Sequence, residues 1–149
     1  MGKQQQPKKV FMEGGIPAAF IGQSIAKHQS KTDIGAHNIF LGQVRADKIG
    51  EKSVRAIEYS SYVEMAEKEI HEIRENTFKK FNITCMHIHH SIGLVAAGEI
   101  CLFVFVSSKH RDVSYKASRH IVEEIKAKVP IFGKEILEDN SHKWKKNIT

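Results

Sequence analysis

Three segments of the chain repeat apolar residues at the three- and four-residue spacing that places them on one side of an α-helix. In residues 62–81 the repeat comprises Ala66, Ile70, Ile73 and Thr77. In residues 113–129 it comprises Ala117, Ile121, Val122, Ile125 and Val129. Pro130 ends this second long helix because proline disfavours helical backbone in the residue before it. A third, shorter helix is predicted over residues 16–28, where Pro17 suits the first turn.

Four other segments are rich in β-branched and aromatic residues and predict β-strands. They are residues 35–45, 54–59, 83–90 and 100–106. The last of them, ICLFVFV, is apolar throughout, which predicts a central strand covered on both faces. Gly42 inside the first strand predicts a bulge or a close approach of another backbone. The polar residues 46–53 predict a mobile loop, and Gly93 and Gly98 predict turns.

Helices and strands alternate, but short turns join several of the strands. This arrangement favours an α+β fold of two layers, with a mixed or mainly antiparallel sheet and two long helices, over a doubly wound parallel sheet. The 149 residues fit one domain. We expect that domain to span residues 10–149, after a flexible, polar leader over residues 1–9.

Composition narrows the range of partners. The formal net charge is +6 at pH 7, which suits an anionic partner such as a phosphorylated small molecule, an acidic protein or a nucleic acid. The basic residues form no stripe interleaved with aromatic residues, so we expect no nucleic-acid binding. No apolar run approaches the roughly 20 residues that cross a bilayer, and the basic N-terminus lacks a hydrophobic signal segment. We therefore expect a cytoplasmic protein without a membrane partner.

The two cysteines, Cys85 and Cys101, have no second cysteine at a zinc-type or redox-type spacing. We expect both to be buried, reduced thiols. His87, His89 and His90 raise the possibility of a metal site, and His87 and His89 share a face of the predicted strand. Without a further ligand at a suitable spacing we expect no metal and no cofactor.

The densest polar segment is SSKHRD, residues 107–112, between the most apolar strand and the second long helix. Exposed amides at a helix N-terminus favour anions, and His110 and Arg111 would add donors there. The alternative is a solvated connection in which Asp112 or Ser114 caps the helix.

Lys126 is the second candidate, because helix geometry sets it about 40° from Val122 and about 60° from Val129, at the border of the apolar stripe. Such a lysine either extends its ammonium into water or is partly desolvated, with a lowered pKa that suits acid–base or covalent chemistry. Lys134 and Glu135, in the short extended segment PIFGKE, could line the same cleft. Arg45, at the end of the first strand, could bind a phosphate or remain a surface charge.

Five blocks of the sequence together resemble the large subunit of molybdopterin synthase, in that family's order and with similar gaps. The likeness runs from about residue 11 to residue 144, where Lys143 and Trp144 also match. The blocks are GAHNIFLGQVR at 35–45, YVEMAEKEI at 62–70, HHSIG at 89–93, SSKHRD at 107–112 and IKAKVPIFGKE at 125–135.

The resemblance implies a sulfurtransferase with a hammerhead-type β arrangement. Its partner would be a small ubiquitin-like protein whose C-terminal thiocarboxylate gives sulfur to cyclic pyranopterin monophosphate, forming the dithiolene of molybdopterin. Two large subunits would form a central homodimer, with one small subunit at each end of the heterotetramer. Since the partner carries the sulfur, no catalytic cysteine is needed.

The resemblance also implies roles for individual residues. Lys126 and Lys134 would be catalytic, with Lys126 contacting the thiocarboxylate and acting as the acid–base group. The substrate-binding residues implied by the likeness are Gln43, Val44, Arg45, His110, Arg111, Lys126, Gly133, Lys134 and Glu135.

Two segments depart from the family pattern. The family commonly has a tryptophan and two lysines where this chain has Phe132, Gly133 and Lys134, and an arginine where it has Ser91. Both changes remove positive charge, so either Lys134 replaces the lysine absent at Gly133 or the site has one cation fewer. An alternative function is therefore a non-catalytic module that binds a ubiquitin-like partner.

Overall fold

A computed structural model describes residues 9–145 of the chain. All of the predicted leader except Lys9 lies outside the described residues. Within them the chain forms three helices and eight strands. The helices are α1 (Ala18–His28), α2 (Val63–Lys80) and α3 (Arg111–Lys128). The strands are β1 (Phe11–Glu13), β2 (Ala36–Gln43), β3 (Lys48–Ile49), β4 (Lys52–Ser61), β5 (Cys85–Ala96), β6 (Ile100–Ser108), β7 (Ile131–Leu137) and β8 (His142–Trp144).

The strands follow the order β2-β6-β5-β4-β7-β8, while β1 pairs with β5 and β3 pairs with β4. Every pairing is antiparallel except β1 with β5. Strand β5 joins two parts of the sheet, because Cys85–His90 pair with β6 and Gly93–Ala96 pair with β4. The predicted α+β class with a mainly antiparallel, hammerhead-type sheet is confirmed.

The passage of β5 from one part of the sheet to the other occurs at Gly93. This residue has φ +83°, a left-handed conformation that L side chains rarely adopt. The prediction of a turn at Gly93 is wrong, because the strand bends there and continues to Ala96. Gly98 does lie in the turn between β5 and β6, as predicted.

Strand β6 is the centre of the core, as its apolar sequence predicted. Leu102, Val104 and Val106 face the helices α2 and α3. Phe103 and Phe105 face the opposite side, where α1 packs. Helices therefore cover both faces of the sheet at this strand.

The long helices bury the stripes that their periodicity predicted. In α2 the buried residues are the four predicted ones, Ala66, Ile70, Ile73 and Thr77. In α3 they are Ser114, Ala117, Ser118, Ile121 and Ile125. Of the other predicted residues of that stripe, Val122 is only partly buried and the buried Val129 lies just past the end of the helix. Both cysteines are buried and free, as expected. In the range 9–145 no helix is long and apolar enough to cross a membrane.

Two loop predictions differ from the structure. Residues 46–53 were expected to form a mobile loop, but β3 and the start of β4 form a short hairpin there. Its tip contains Gly50, with φ +67°. The bulge predicted at Gly42 is present, as the register of β2 against β6 shifts between Gly42 and Gln43.

His90 is a buried histidine on β5, with only 5% of its surface exposed. Its Nδ1 lies 2.7 Å from the carbonyl oxygen of Ser91, so this nitrogen carries the proton and donates to that oxygen. The pKa of His90 is lowered to about 4, chiefly by burial and to a smaller extent by the positive charge of Lys126, while the Ser91 contact opposes the shift.

This buried ring predicts a loss of stability in mild acid. An unfolded histidine titrates near pH 6.5, so the unfolded chain binds the extra proton first. The contribution of His90 is complete above about pH 6.5 and falls by up to roughly 3 kcal/mol as the pH drops to about 4. Urea unfolding across this range should show a weaker pH dependence in His90→Asn than in wild type. The control is His142→Asn at an exposed histidine, which should keep the pH dependence of wild type. If the free energy of unfolding changes equally with pH in wild type and in His90→Asn, the assignment to His90 is contradicted.

Gly35 stands where the start of β2 meets the β6–α3 connection. A Cβ added there would lie 2.2 Å from the carbonyl oxygen of Lys109. We expect Gly35→Ala to lower the free energy of unfolding by about 1–3 kcal/mol, since backbone must move. The matched control is Gly22→Ala in α1, where nothing lies within 4 Å and alanine should add about 0.5–1 kcal/mol. A Gly35→Ala protein as stable as wild type in urea would disprove the close approach.

Candidate functional site

Two clefts meet beside the C-terminal end of α3. The inner cleft has a volume of about 410 Å³ and lies between α3, β5 and β7. The outer cleft has a volume of about 740 Å³ and extends towards the β3 hairpin. The residues that line both clefts are Lys126, Trp144 and Lys145.

The inner cleft has an aromatic and apolar wall. Tyr59 and His90 form part of it, with ring centroids 5.0 Å apart and nearly perpendicular planes. Burial raises the pKa of Tyr59, and the neighbouring Cys101 raises it further. Both rings are therefore neutral at physiological pH. No aspartate or glutamate is among the residues that line this cleft within the described chain.

Lys126 lies in the last turn of α3, next to the buried Ile125. It borders the apolar stripe as its helical position predicted, and its side chain keeps access to solvent through the clefts. Desolvation by the cleft walls lowers the pKa of Lys126, and the charge of Lys145 lowers it further. Lys126 thus has the properties of a partly desolvated amine that can exchange a proton.

Gly133 lies on β7 opposite Tyr59 and lines the inner cleft. A Cβ at this position would be 3.1 Å from Cγ2 of Ile57 and 3.4 Å from Cε1 of Tyr59. A side chain could enter only if these neighbours moved by a few tenths of an ångström. The glycine therefore fits the closely packed wall.

Lys134 is the next residue of β7, and adjacent side chains of a strand point to opposite faces. Its Nζ lies 3.2 Å from Oε1 of Glu58 and 5.9 Å from the ring centroid of Trp144. Among the described residues, Lys134 lines neither cleft. The structure thus holds its ammonium in an ion pair with Glu58, beside the ring of Trp144.

Arg45 and Glu135 line the outer cleft, as does Lys126. Nη2 of Arg45 lies 3.1 Å from Oδ2 of Asp47, in an exposed ion pair. Val44 is buried, with 2% of its surface exposed, and belongs to the core of the β4 part of the sheet. Gln43 is exposed at the end of β2.

His110 and Arg111 lie at the opposite end of α3 from Lys126. The 15 or so residues between them correspond to roughly 22 Å of helix. Both are exposed, and neither lines the two clefts of the same chain. The helix begins without a side-chain cap, so the alternative role of Asp112 or Ser114 as a cap is wrong. Ser114 Oγ donates instead to the carbonyl oxygen of Arg111, at 2.6 Å.

The three histidines of β5 lie in different surroundings. His87 and His89 share a face, as predicted: Nε2 of His87 lies 2.9 Å from Nε2 of His28, and the ring of His89 packs against Phe20. His90 faces the inner cleft. Within residues 9–145, no group of three or more histidine, cysteine or acidic residues is arranged to hold a metal ion.

Sequence reasoning missed three residues of the cleft. Tyr59 was predicted only as part of a strand, and Trp144 only as a matching residue near the end of the chain. Lys145 belongs to a concentration of positive charge at residues 143–146, but nothing in the sequence distinguishes it from the other lysines of that stretch.

The family model described as "MoaE protein" matches residues 18–128. The molybdopterin synthase catalytic subunit of Thermoplasma volcanium is 40% identical over 114 residues, which cover 76% of this chain and 82% of that protein. The catalytic subunit of Bos taurus is 37% identical over 113 residues, again 76% of this chain. That match spans 59% of the bovine protein, so the chain covers less than two thirds of this relative.

Solved structures agree with these relatives. The X-ray structure of molybdopterin synthase from Staphylococcus aureus is 30% identical, with a TM-score of 0.82, and the match covers 97% of this chain and all of that one. A structure from Helicobacter pylori is described as a complex of subunits 1 and 2 of molybdopterin-converting factor. It matches with a TM-score of 0.78 at 15% identity, over 92% of this chain and 89% of that one. This second likeness concerns the fold alone. From the family match and the identity to its relatives, the chain belongs to the MoaE protein family.

Proposed function

We propose that this chain is the catalytic subunit of a molybdopterin synthase. It would transfer sulfur from the C-terminal thiocarboxylate of a small ubiquitin-like subunit to cyclic pyranopterin monophosphate, forming the molybdopterin dithiolene. The observation that carries the proposal is Lys126, a lysine of lowered pKa at the junction of two clefts large enough for a small molecule and a peptide tail. The names of the relatives support the same reaction.

Lys126 is the proposed acid–base group. A lysine with a lowered pKa is uncharged in a larger fraction of molecules, so it can accept a proton as sulfur attacks the pterin and return it later. Its protonated form can also hold the anionic thiocarboxylate. Arg45 and Glu135, which share the outer cleft with Lys126, are proposed substrate contacts.

Gln43, at the exposed end of β2, remains a proposed substrate contact. For Val44 only the backbone is free for such a role, since its side chain is buried. Gly133 is a proposed contact through the inner cleft wall. The role of Lys134 stays a prediction, and its ion pair with Glu58 would have to open first.

The small subunit is the proposed partner at the cleft mouth. Exposed aromatic residues surround the opening, and Tyr62 and Phe132 pack there with ring centroids 5.5 Å apart. Exposed apolar surface of this kind is typical of protein–protein contacts. The complex of two subunits named for the Helicobacter pylori structure is consistent with such a partner. We also place the activity in the cytoplasm, because two free, buried cysteines suit a reducing compartment.

A homodimer of large subunits is the second part of the assembly. His110 and Arg111 resemble substrate-pocket residues, but α3 holds them far from Lys126 of the same chain. We therefore infer that they serve the cleft of a second copy, where their donors would bind the pterin phosphate. The exposed Phe40 and Leu41 on the edge strand β2 provide apolar surface for such a contact.

The acid–base role of Lys126 predicts that Lys126→Ala lowers sulfur transfer by about 100-fold or more, the scale of general acid–base catalysis. Product should be measured from cyclic pyranopterin monophosphate and thiocarboxylated small subunit. The matched control is Lys128→Ala, in the same turn, whose ammonium is exposed and paired with Glu124 at 2.9 Å. We expect less than about a twofold change for it, since exposed ion pairs contribute little.

Two results would contradict these assignments. A Lys126→Ala enzyme close to wild type would exclude the lysine, and Lys134 would be the next candidate. The second such result is wild-type protein that binds a competent small subunit and still forms no product. That result would favour the alternative function, a non-catalytic module that binds the small subunit, which the glycine at position 133 suggests.

The assembly predicts complementation between two inactive variants. Lys126→Ala and Arg111→Ala homodimers should each have little activity at limiting pterin concentration. After subunit exchange in an equal mixture, half of the dimers are mixed, and each mixed dimer holds one cleft with both changes and one with neither. About a quarter of wild-type activity should therefore return. No recovery, despite mixed dimers seen by native mass spectrometry, would mean that Arg111 acts in its own chain or outside the site.

A further inference from the structure

We propose that Lys145 is the second cation of this site, and that it binds an oxyanion of the substrates beside Lys126. The identity of the anion rests on the proposed function, because the two substrates of sulfur transfer are both anions. The structural basis of the assignment is independent of that reaction. Lys145 lines both clefts, and so does Lys126.

The backbone fixes the position of Lys145. Its N–H donates to the carbonyl oxygen of Gly133, at 2.8 Å. The preceding residue, Trp144, pairs with Lys134 in the β7–β8 register. The start of the Lys145 side chain is therefore held against the glycine that forms part of the cleft wall.

The charges of the inner cleft favour an anion. Among the described residues that line this cleft, the positively charged side chains are those of Lys126 and Lys145, and no carboxylate lies with them. His90 adds no charge, because it stays neutral above about pH 4. Two ammonium groups without a carboxylate repel each other, and a bound carboxylate or phosphate relieves that repulsion.

The electrostatic coupling between the two lysines agrees with their placement. After desolvation, the charge of Lys145 is the next cause of the lowered pKa of Lys126. Lys145 would thus both bind the anion and keep more of Lys126 uncharged before substrate arrives. Lys134 does not compete for this role, since it is paired with Glu58 and lines neither cleft.

The first test uses no substrate. Acetic anhydride labelling of the free protein, with Lys126 resolved by mass spectrometry across a range of pH, reports its pKa. Lys145→Ala should slow labelling of Lys126 near pH 7 by about two- to tenfold, because one pKa unit changes the uncharged fraction tenfold. Lys145→Arg should keep the wild-type rate, and so should Lys128→Ala, which removes the same charge elsewhere. If Lys134→Ala but not Lys145→Ala slows labelling, the assignment is overturned.

The second test identifies the anion by steady-state kinetics of Lys145→Ala and Lys145→Arg. A raised KM for cyclic pyranopterin monophosphate in Lys145→Ala, recovered by arginine, assigns the phosphate. A raised KM for the thiocarboxylated small subunit, recovered likewise, assigns the thiocarboxylate. Unchanged KM values for both substrates would overturn the binding role. Wild-type protein without any activity would refute the proposed function instead, and the labelling result would still decide the place of Lys145.

Discussion

Strand β6 packs against helices on both of its faces, and the position of the candidate site follows from this packing. Its side chains alternate between Leu102, Val104 and Val106 on the side of α2 and α3 and Phe103 and Phe105 on the side of α1. Each fully buried side chain of this size contributes roughly 1.5–3 kcal/mol. The exposed ion pairs of α3 contribute at most about 1 kcal/mol each. The apolar stripe, and not the charged face, therefore sets the orientation of α3.

The orientation of α3 brings a charged residue to the edge of the core. Ile125 is buried, so Lys126 beside it lies where the helix ends over β5 and β7. There the cleft walls desolvate its ammonium and Lys145 repels it, which together lower its pKa. The same environment keeps His90 neutral. A site built in this way has a proton-exchanging amine and an excess of positive charge, which suits two anionic reactants.

The prediction of this site from sequence was uneven for physical reasons. Lys126 was found because a regular helix converts spacing along the chain into angle, so its place beside Val122 and Val129 could be calculated. Lys134 was harder to place, because the face of a strand residue depends on the register of its neighbours. In the structure, Lys134 pairs with Glu58 across β4 and β7. Gly93 was misread as a turn because a glycine in a turn and a glycine in a bent strand look alike in sequence.

The sequence by itself determined the helices, their buried stripes, the central apolar strand and the family, since local periodicity and ordered blocks of residues carry that information. The tertiary structure alone decided which charges meet. Pairing of β8 with β7 brings Lys145 to Gly133, a contact between residues 12 positions apart that no local pattern encodes. The length of α3 separates His110 and Arg111 from Lys126 of the same chain. Charges act through distance in space, and only the packed sheet and helices fix those distances.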